Sequence, residues 1–296
     1  MGTATITPLN DEVALTSGLL TPGVPTQGPY QEIIQSRLFQ RMEEFSNQFL
    51  VSQQSVLEAY GRKWVADPLH QWSRQWEYPF TFVHIDKWLS EHGRDDVKVL
   101  DAGSGITFFP FLLASTFPEV KVSCCDMDAE LEGSFASITG NLDVPIQFTR
   151  SALHELPYAD ASYDIVFSIS VLEHTDNYAH IFREFRRILR PGGLVIVTFD
   201  VSLDSANKLA DENARGVWQT AKEFFRPLGT ATLESELNNS NLAAPILTTR
   251  YAQNLNKDLL PWKYSYSTAL KRLMRGQLQL NQVPNLTCFC EVLEAI

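Results

Sequence analysis

The chain has 296 residues, of which 44% are hydrophobic, 11% aromatic and 20% charged, and its formal net charge is −11, from 24 Lys+Arg against 35 Asp+Glu. That length suits roughly two domains of about 150 residues or one enlarged α/β domain with extensions, and a core of that size needs no disulfide staples. So acidic a surface repels phosphate backbones and anionic lipid head groups, which argues against nucleic acid and membrane surfaces as partners.

Residues 1–29 carry Thr, Pro and Gly with little periodicity and read as a flexible leader. Met1 to Tyr30 holds no Lys or Arg, so the basic start of a secretory signal is missing. Met1-Gly2 is followed by Ile6, where a myristoylation signal wants Ser or Thr. No apolar run approaches the roughly 20 residues of a spanning helix. A cytoplasmic protein is the expectation. From Tyr30, the residues Ile34, Leu38, Met42, Phe45 and Phe49 recur at spacings of three and four and predict one helical stripe, with a shorter helix through Val56, Leu57 and Tyr60. An aromatic-dense stretch follows: Trp64, Trp72, Trp76, Tyr78, Phe80, Phe82 and Trp88. Residues 30–95 therefore read as a helical, aromatic-rich cap, much of it core and some of it suited to close over a small-molecule pocket.

From residue 97 strands and helices alternate. Val97–Asp101 is a short apolar run closing on an acid, Phe108–Phe117 a helix, Val120–Asp126 a strand and Ile146–Thr149 another. Tyr163–Ser170 is nearly continuous in apolar residues, as a strand covered on both faces is. The helix through Ile181, Phe182, Phe185, Ile188 and Leu189 stops at Arg190-Pro-Gly-Gly193, and Leu194–Phe199 is the next strand. This alternation predicts a doubly wound, mostly parallel sheet over residues 96–296. Beyond Asp200 the reading expects a helix over Ala206–Phe225, a strand near Ile246–Tyr251, a basic helix over Ala269–Arg275 and a terminal strand over Leu286–Leu293, with substrate-specifying insertions within 201–285. The four cysteines, Cys124, Cys125, Cys288 and Cys290, lack C-x-x-C spacing and read as buried hydrophobes; no metal is expected.

The strongest chemical signal is Val99-Leu-Asp-Ala-Gly-Ser-Gly-Ile-Thr107, a strand running through Gly103 and Gly105 towards a helix. Such glycines allow a tight turn and a close approach by a cofactor. A nicotinamide-binding loop wants a third glycine where Phe108 stands, and a P-loop wants Gly-Lys-Ser/Thr. Asp101 repels a pyrophosphate but attracts an ammonium or sulfonium group. Asp126, about 20 residues past the glycines, is placed to accept from ribose hydroxyls. An amino-acid head, a ribose and no phosphate describe S-adenosylmethionine.

With Cys-Asp-Met-Asp128, Leu156-Pro-Tyr-Ala-Asp-Ala-Ser-Tyr-Asp164, Val171-Leu-Glu-His174 and Leu189-Arg-Pro-Gly-Gly193 in this order, the sequence resembles the class I S-adenosylmethionine-dependent methyltransferases, in texture the type 11 small-molecule group. The resemblance covers roughly residues 96–200. It implies a Rossmann-like, seven-stranded sheet and S-adenosylmethionine as cofactor. It also implies that Asp101, Gly103, Ser104 and Gly105 hold the methionine moiety, Asp126 the ribose and Met127 the adenine face. Ser151 and Ala152 fall against the adenine amine, and Ser168 presents backbone groups to the amino-acid end. Two positions depart from the pattern: Thr107 replaces a glycine of the loop, and Ser151 replaces an adenine-contacting Asp.

Methyl transfer needs alignment and a dry cleft, with a general base only where the acceptor must lose a proton. His174, just past the fourth strand, is the candidate base or acceptor-orienting group, and Glu173, Asp200, Trp72, Trp76 and Tyr78 are candidate acceptor contacts. The expected activity is methylation of an O or N atom, possibly C, of a small molecule in natural-product or secondary metabolism. A protein or nucleic-acid methyltransferase is the first alternative, although the Asn/Asp-Pro-Pro-Tyr turn of amide methylators is replaced by Ser168–His174. A non-catalytic partner of the same fold is the second.

Overall fold

A computed structural model describes residues 16–61, 66–203, 208–230, 232, 233, 235, 245–260 and 284–296. Seven strands form one sheet among them: β1 (Lys98–Ala102), β2 (Lys121–Asp126), β3 (Gln147–Arg150), β4 (Tyr163–Ile169), β5 (Leu189–Ser202), β6 (Phe225–Pro227) and β7 (Leu286–Ala295). Their order is β3-β2-β1-β4-β5-β7-β6. β7 runs antiparallel to both its neighbours, while the other adjacent pairs are parallel. From β1 the chain winds outward to β3, then returns to β4 on the opposite side of β1. A crevice opens at such a reversal, beyond the carboxyl ends of the strands.

The Rossmann-like, mostly parallel seven-stranded sheet of the sequence reading is thus observed. Helices fill both faces. On one side α1 (Gln27–Gln35), α2 (Arg37–Ser52), α3 (Gln54–Tyr60), α4 (Arg74–His92), α5 (Phe109–Thr116) and α6 (Leu131–Leu142) join a core with Val99, Ile165 and Ile196. On the other, α7 (Tyr178–Ile188) and α8 (Lys208–Phe224) pack on Leu100, Val166 and Val195. Alternate residues of one strand face opposite cores, which is why β4 is apolar along its length.

Several sequence expectations change in the folded chain. The single stripe from Ile34 to Phe49 is two helices, because Ser36 leaves helical geometry (ψ 156°) and its hydroxyl accepts from the Phe39 N–H to cap α2. The strand expected near Ile246–Tyr251 is an isolated bridge, Ile246 to Thr26, followed by α9 (Thr249–Leu255). There the Thr248 hydroxyl caps the helix by accepting from Tyr251 N–H, so capping outweighs β-branched composition. The described end of the leader is tied down: Gly23 exchanges both backbone hydrogen bonds with Cys290 of β7 (2.7 and 3.0 Å), and Leu20 is fully buried. Arg190–Gly193 lies within β5 rather than in a separating loop. All four cysteines are buried and unlinked, in β2 and β7. Trp64, the basic helix over 269–275 and most of 231–244 lie outside the described residues. Among the described residues no helix is long and apolar enough to cross a membrane, and no cluster of three His, Cys, Asp or Glu could hold a metal ion.

Candidate active site

A cavity of about 890 Å³ opens along the carboxyl edge of the sheet, between the ends of β1, β2, β4 and β5 and the segment that leads into α4. At one end of it lies the glycine turn. Gly103 (φ +82°) and Gly105 (φ +51°) are both left-handed, and a Cβ on Gly103 would come within 2.6 Å of the Val171 side chain. Only glycine fits such a turn without strain. The turn is anchored to β2, since the N–H groups of Gly103 and Ser104 both donate to the Cys125 carbonyl (2.8 and 3.1 Å).

Two acids frame the turn. Asp126 ends β2; its Oδ2 accepts from Gly105 N–H and its Oδ1 from Asp128 N–H, both at 3.0 Å. Each carboxylate oxygen retains a further acceptor site for a ligand hydroxyl. Asp101 lines the cavity from β1 and is nearly buried. Desolvation, and then the charge of Asp126, push its carboxyl well above the usual range. A cationic group placed in the cavity reverses that balance and holds Asp101 ionised. Ser104, Ser151, Ala152 and the 72%-exposed Met127 complete this end. The Ser151 hydroxyl donates to the loop carbonyls of Ala152 and Glu155 and keeps its lone pairs for a ligand. Ser168, by contrast, lies behind the wall, fully buried, with its hydroxyl donating to the Ala102 carbonyl at 2.9 Å; Ile169 and Ser170 reach the cavity in its place.

Trp72, Arg74, Tyr78, Ser170, His174, Asp176 and Asp200 also line the cavity, Tyr78 beside Thr107 and Asp101 of the glycine turn. Tyr78 is wedged edge-on to Phe108 and stacked on Phe109 (ring centroids 5.1 and 4.9 Å apart), and burial pushes its phenol up to about 12. His174 sits at the mouth on a single 3₁₀ turn (Leu172–His174); partial burial and the Arg74 charge lower its pKa, so the imidazole is neutral at neutral pH. Trp76 packs into the core away from the cavity. Glu173 is also outside the cavity, buried behind Asp200, whose backbone N–H it accepts through Oε1 at 3.1 Å.

Composition gave no hint of one group of residues here. The completely buried Glu77 takes hydrogen bonds from Arg74 and from the Ser170 hydroxyl (2.7 Å), and Arg74 also donates to Ser170 Oγ at 2.5 Å. Burial alone would favour loss of the Arg74 proton, but the charge of Glu77, followed by Tyr78 and Asp200, keeps the guanidinium firmly protonated. Ser170 has φ +48°, a conformation that costs a non-glycine residue about 1–3 kcal/mol. The strain is offset by its N–H donating to Thr198 and by the two side-chain contacts. The available signal was an Arg-x-x-Glu pair, Arg74 and Glu77, inside an otherwise aromatic run.

Residues 100–197 match the model of a methyltransferase domain. An uncharacterized methyltransferase of Mycobacterium tuberculosis (strain ATCC 25618 / H37Rv) is 31% identical over 120 residues, 40% of this chain and 46% of the relative; one from Mycobacterium leprae (strain TN) is 31% identical over 40% of this chain and 43% of its own length. The chain thus spans less than half the length of these curated relatives. Among solved structures, a geranyl diphosphate C-methyltransferase from Streptomyces coelicolor A3(2) aligns over 79% of this chain and 84% of its own, at 14% identity and a TM-score of 0.46.

Proposed function

We propose, from the match of residues 100–197 to a methyltransferase-domain model, that the chain is a class I S-adenosylmethionine-dependent methyltransferase and moves the methyl group of S-adenosylmethionine to an O or N atom of a small-molecule acceptor. The observation that carries the reading is the pair of acids, Asp101 and Asp126, on either side of a left-handed glycine turn in one cavity. Two carboxylates and no basic P-loop group suit an ammonium and a ribose and disfavour a pyrophosphate.

When bound, the cofactor supplies an activated methyl on a sulfonium centre. Asp101 holds the ammonium of its amino-acid end, with the backbone of Gly103–Gly105 against the same moiety. Asp126 accepts from the ribose hydroxyls, Met127 covers one adenine face, and Ser151 and Ala152 meet the adenine edge. The acceptor lies along the wall of Trp72 and His174, with Tyr78 between it and the glycine turn; the rings exclude water and the neutral His174 orients it. Closure by aromatic walls aligns two reactants in a dry cleft, the main service the protein performs in an in-line displacement. A role in natural-product or secondary metabolism belongs to the same reading, and the metabolite screen tests it. Calorimetric titration with S-adenosylmethionine tests the reading: saturable binding supports it, and no heat at millimolar cofactor overturns it. A tritiated-methyl transfer screen against metabolite pools, read by product mass, then identifies the acceptor.

A further inference from the structure

The loop that follows Asp126 is thinly packed. Met127, Ala129 and Glu130 are exposed on it, and Asp128 between them is half-buried. Three hydrogen bonds of Asp128 settle the loop. Its backbone N–H donates to Asp126 Oδ1 at 3.0 Å, its Oδ1 accepts from Glu130 N–H at 3.0 Å, and its Oδ2 accepts from the Tyr60 hydroxyl at 2.9 Å. The first two are local. The third spans 68 residues and comes from the cap.

Tyr60 is the last residue of α3 and is itself firmly held. Its ring is buried in the core that the cap shares with the sheet. Gly61 (φ +69°) closes the helix behind it, with its N–H donating to the Leu57 carbonyl at 3.0 Å. Ahead of α3, the buried Gln53 accepts through Oε1 from Asn141 Nδ2 of α6 at 2.8 Å. A helix of seven residues has little stability of its own, so contacts of this kind set its place. One end of α3 is thus tied to α6 and the other, through Tyr60, to the loop that leads into α6.

We propose that Tyr60 is a positioning residue for the nucleoside half of the cofactor: through Asp128 it steadies the loop that aims the Asp126 carboxylate, and so couples the cap to the grip on the ribose. The proposal rests on the methyl-transfer reading above. Both Asp126 oxygens are oriented by backbone N–H groups, Oδ2 by Gly105 and Oδ1 by Asp128. The glycine turn is anchored to β2 through the Cys125 carbonyl, whereas the Asp128 N–H is as steady as its exposed loop. A carboxylate already aimed holds a ribose diol more tightly than one that binding must first order. The phenol donates to a carboxylate, the stronger class of hydrogen bond. Phenylalanine at this position keeps the ring in the core and removes that bond.

Two measurements on the full chain test the proposal, each with Tyr60→Phe. The first uses no ligand. Amide hydrogen exchange at Asp128, followed by NMR, should quicken about fivefold in the variant, with the amides of β1 and β4 unchanged. An unchanged Asp128 rate overturns the anchor, and an equal quickening throughout the sheet overturns it in favour of a packing role alone. The second is a binding cycle with 5′-methylthioadenosine, which has the ribose but no amino-acid end, and its 2′,3′-dideoxy analogue. The factor by which the native chain prefers the diol should shrink about fivefold in Tyr60→Phe, and the same substitution should cost nothing further in an Asp128→Ala chain. Equal preference factors in the native chain and the variant, or an added loss in the Asp128→Ala chain, overturn the route through Asp128 to the ribose. Failure of the diol to bind the native chain overturns the methyltransferase reading and the ribose coupling with it, while the exchange rates still judge the Tyr60 anchor.

Discussion

Gly103 shows how a single position limits the cofactor end. Its left-handed φ and the 2.6 Å approach to Val171 leave no room for a methyl. Gly103→Ala is therefore expected to fold, with its far-ultraviolet dichroism preserved, yet to weaken S-adenosylmethionine roughly tenfold or more by calorimetry, the strain being about 1–3 kcal/mol. Glu77 has the opposite profile, since its burden is structural. It is fully buried and is matched with the Arg74 charge, so Glu77→Gln leaves a cation without its counter-ion. Breaking such a pair from one side costs about 3–5 kcal/mol, which a urea midpoint at unchanged slope measures. The carboxylates Asp101 and Asp126 were legible in the sequence because they end predicted strands. Glu77 and Ser170 were not, since their partners are 93 residues apart and no local pattern links them.

At the scale of elements, the segment before α4 forms one lip of the cavity through Pro68, Gln71, Trp72 and Ser73. It is clamped by His70, whose Nδ1 bonds Asp67 and whose Nε2 bonds Glu43 of α2, both at 2.8 Å. The bond to Asp67, opposed by desolvation and aided by Glu43, raises the imidazole from 6.5 to about 9. A raised histidine contributes stability that is fully present below the unfolded pKa and is lost as pH rises through the folded one. The melting temperature of His70→Ala should accordingly fall below that of the native chain at neutral pH, and the gap should close as the pH passes about 9. A gap independent of pH would sink the clamp. The periodicity of α2 and of the helix through Tyr60 was readable from sequence. The break at Ser36 and the helix at Thr249–Leu255 depend on hydroxyl caps, which a hydrophobic pattern does not register.

For the whole molecule, the antiparallel strand β7 ties a segment far away in sequence to the sheet. Gly23 pairs with it from the N-terminal side, and Glu291, fully buried on it, accepts from Gly229 N–H at 3.2 Å while its Oε2 finds no partner among the described residues. Burial, only partly opposed by the N–H groups of Val292 and Gly229, lifts this carboxyl from 4.5 to about 7. The folded state then holds a proton that the unfolded chain has released, so stability falls as pH rises from about 4.5 to about 7. Glu291→Gln should remove that slope, gaining stability at alkaline pH with little change in acid, as pH-dependent denaturant titrations would record; a slope that survives the substitution argues against Glu291 as its source. The acidic composition, the strand–helix alternation and the glycine turn between two acids were determined by the sequence alone, because each is written in consecutive residues whose period or spacing carries its meaning. The acceptor end of the cavity, with Arg74, Glu77, Ser170, Glu173 and Asp200, was decided only by tertiary structure. Those residues come from α4 and from the ends of β4 and β5, and what each can do depends on desolvation and on neighbours that only the packed sheet brings together.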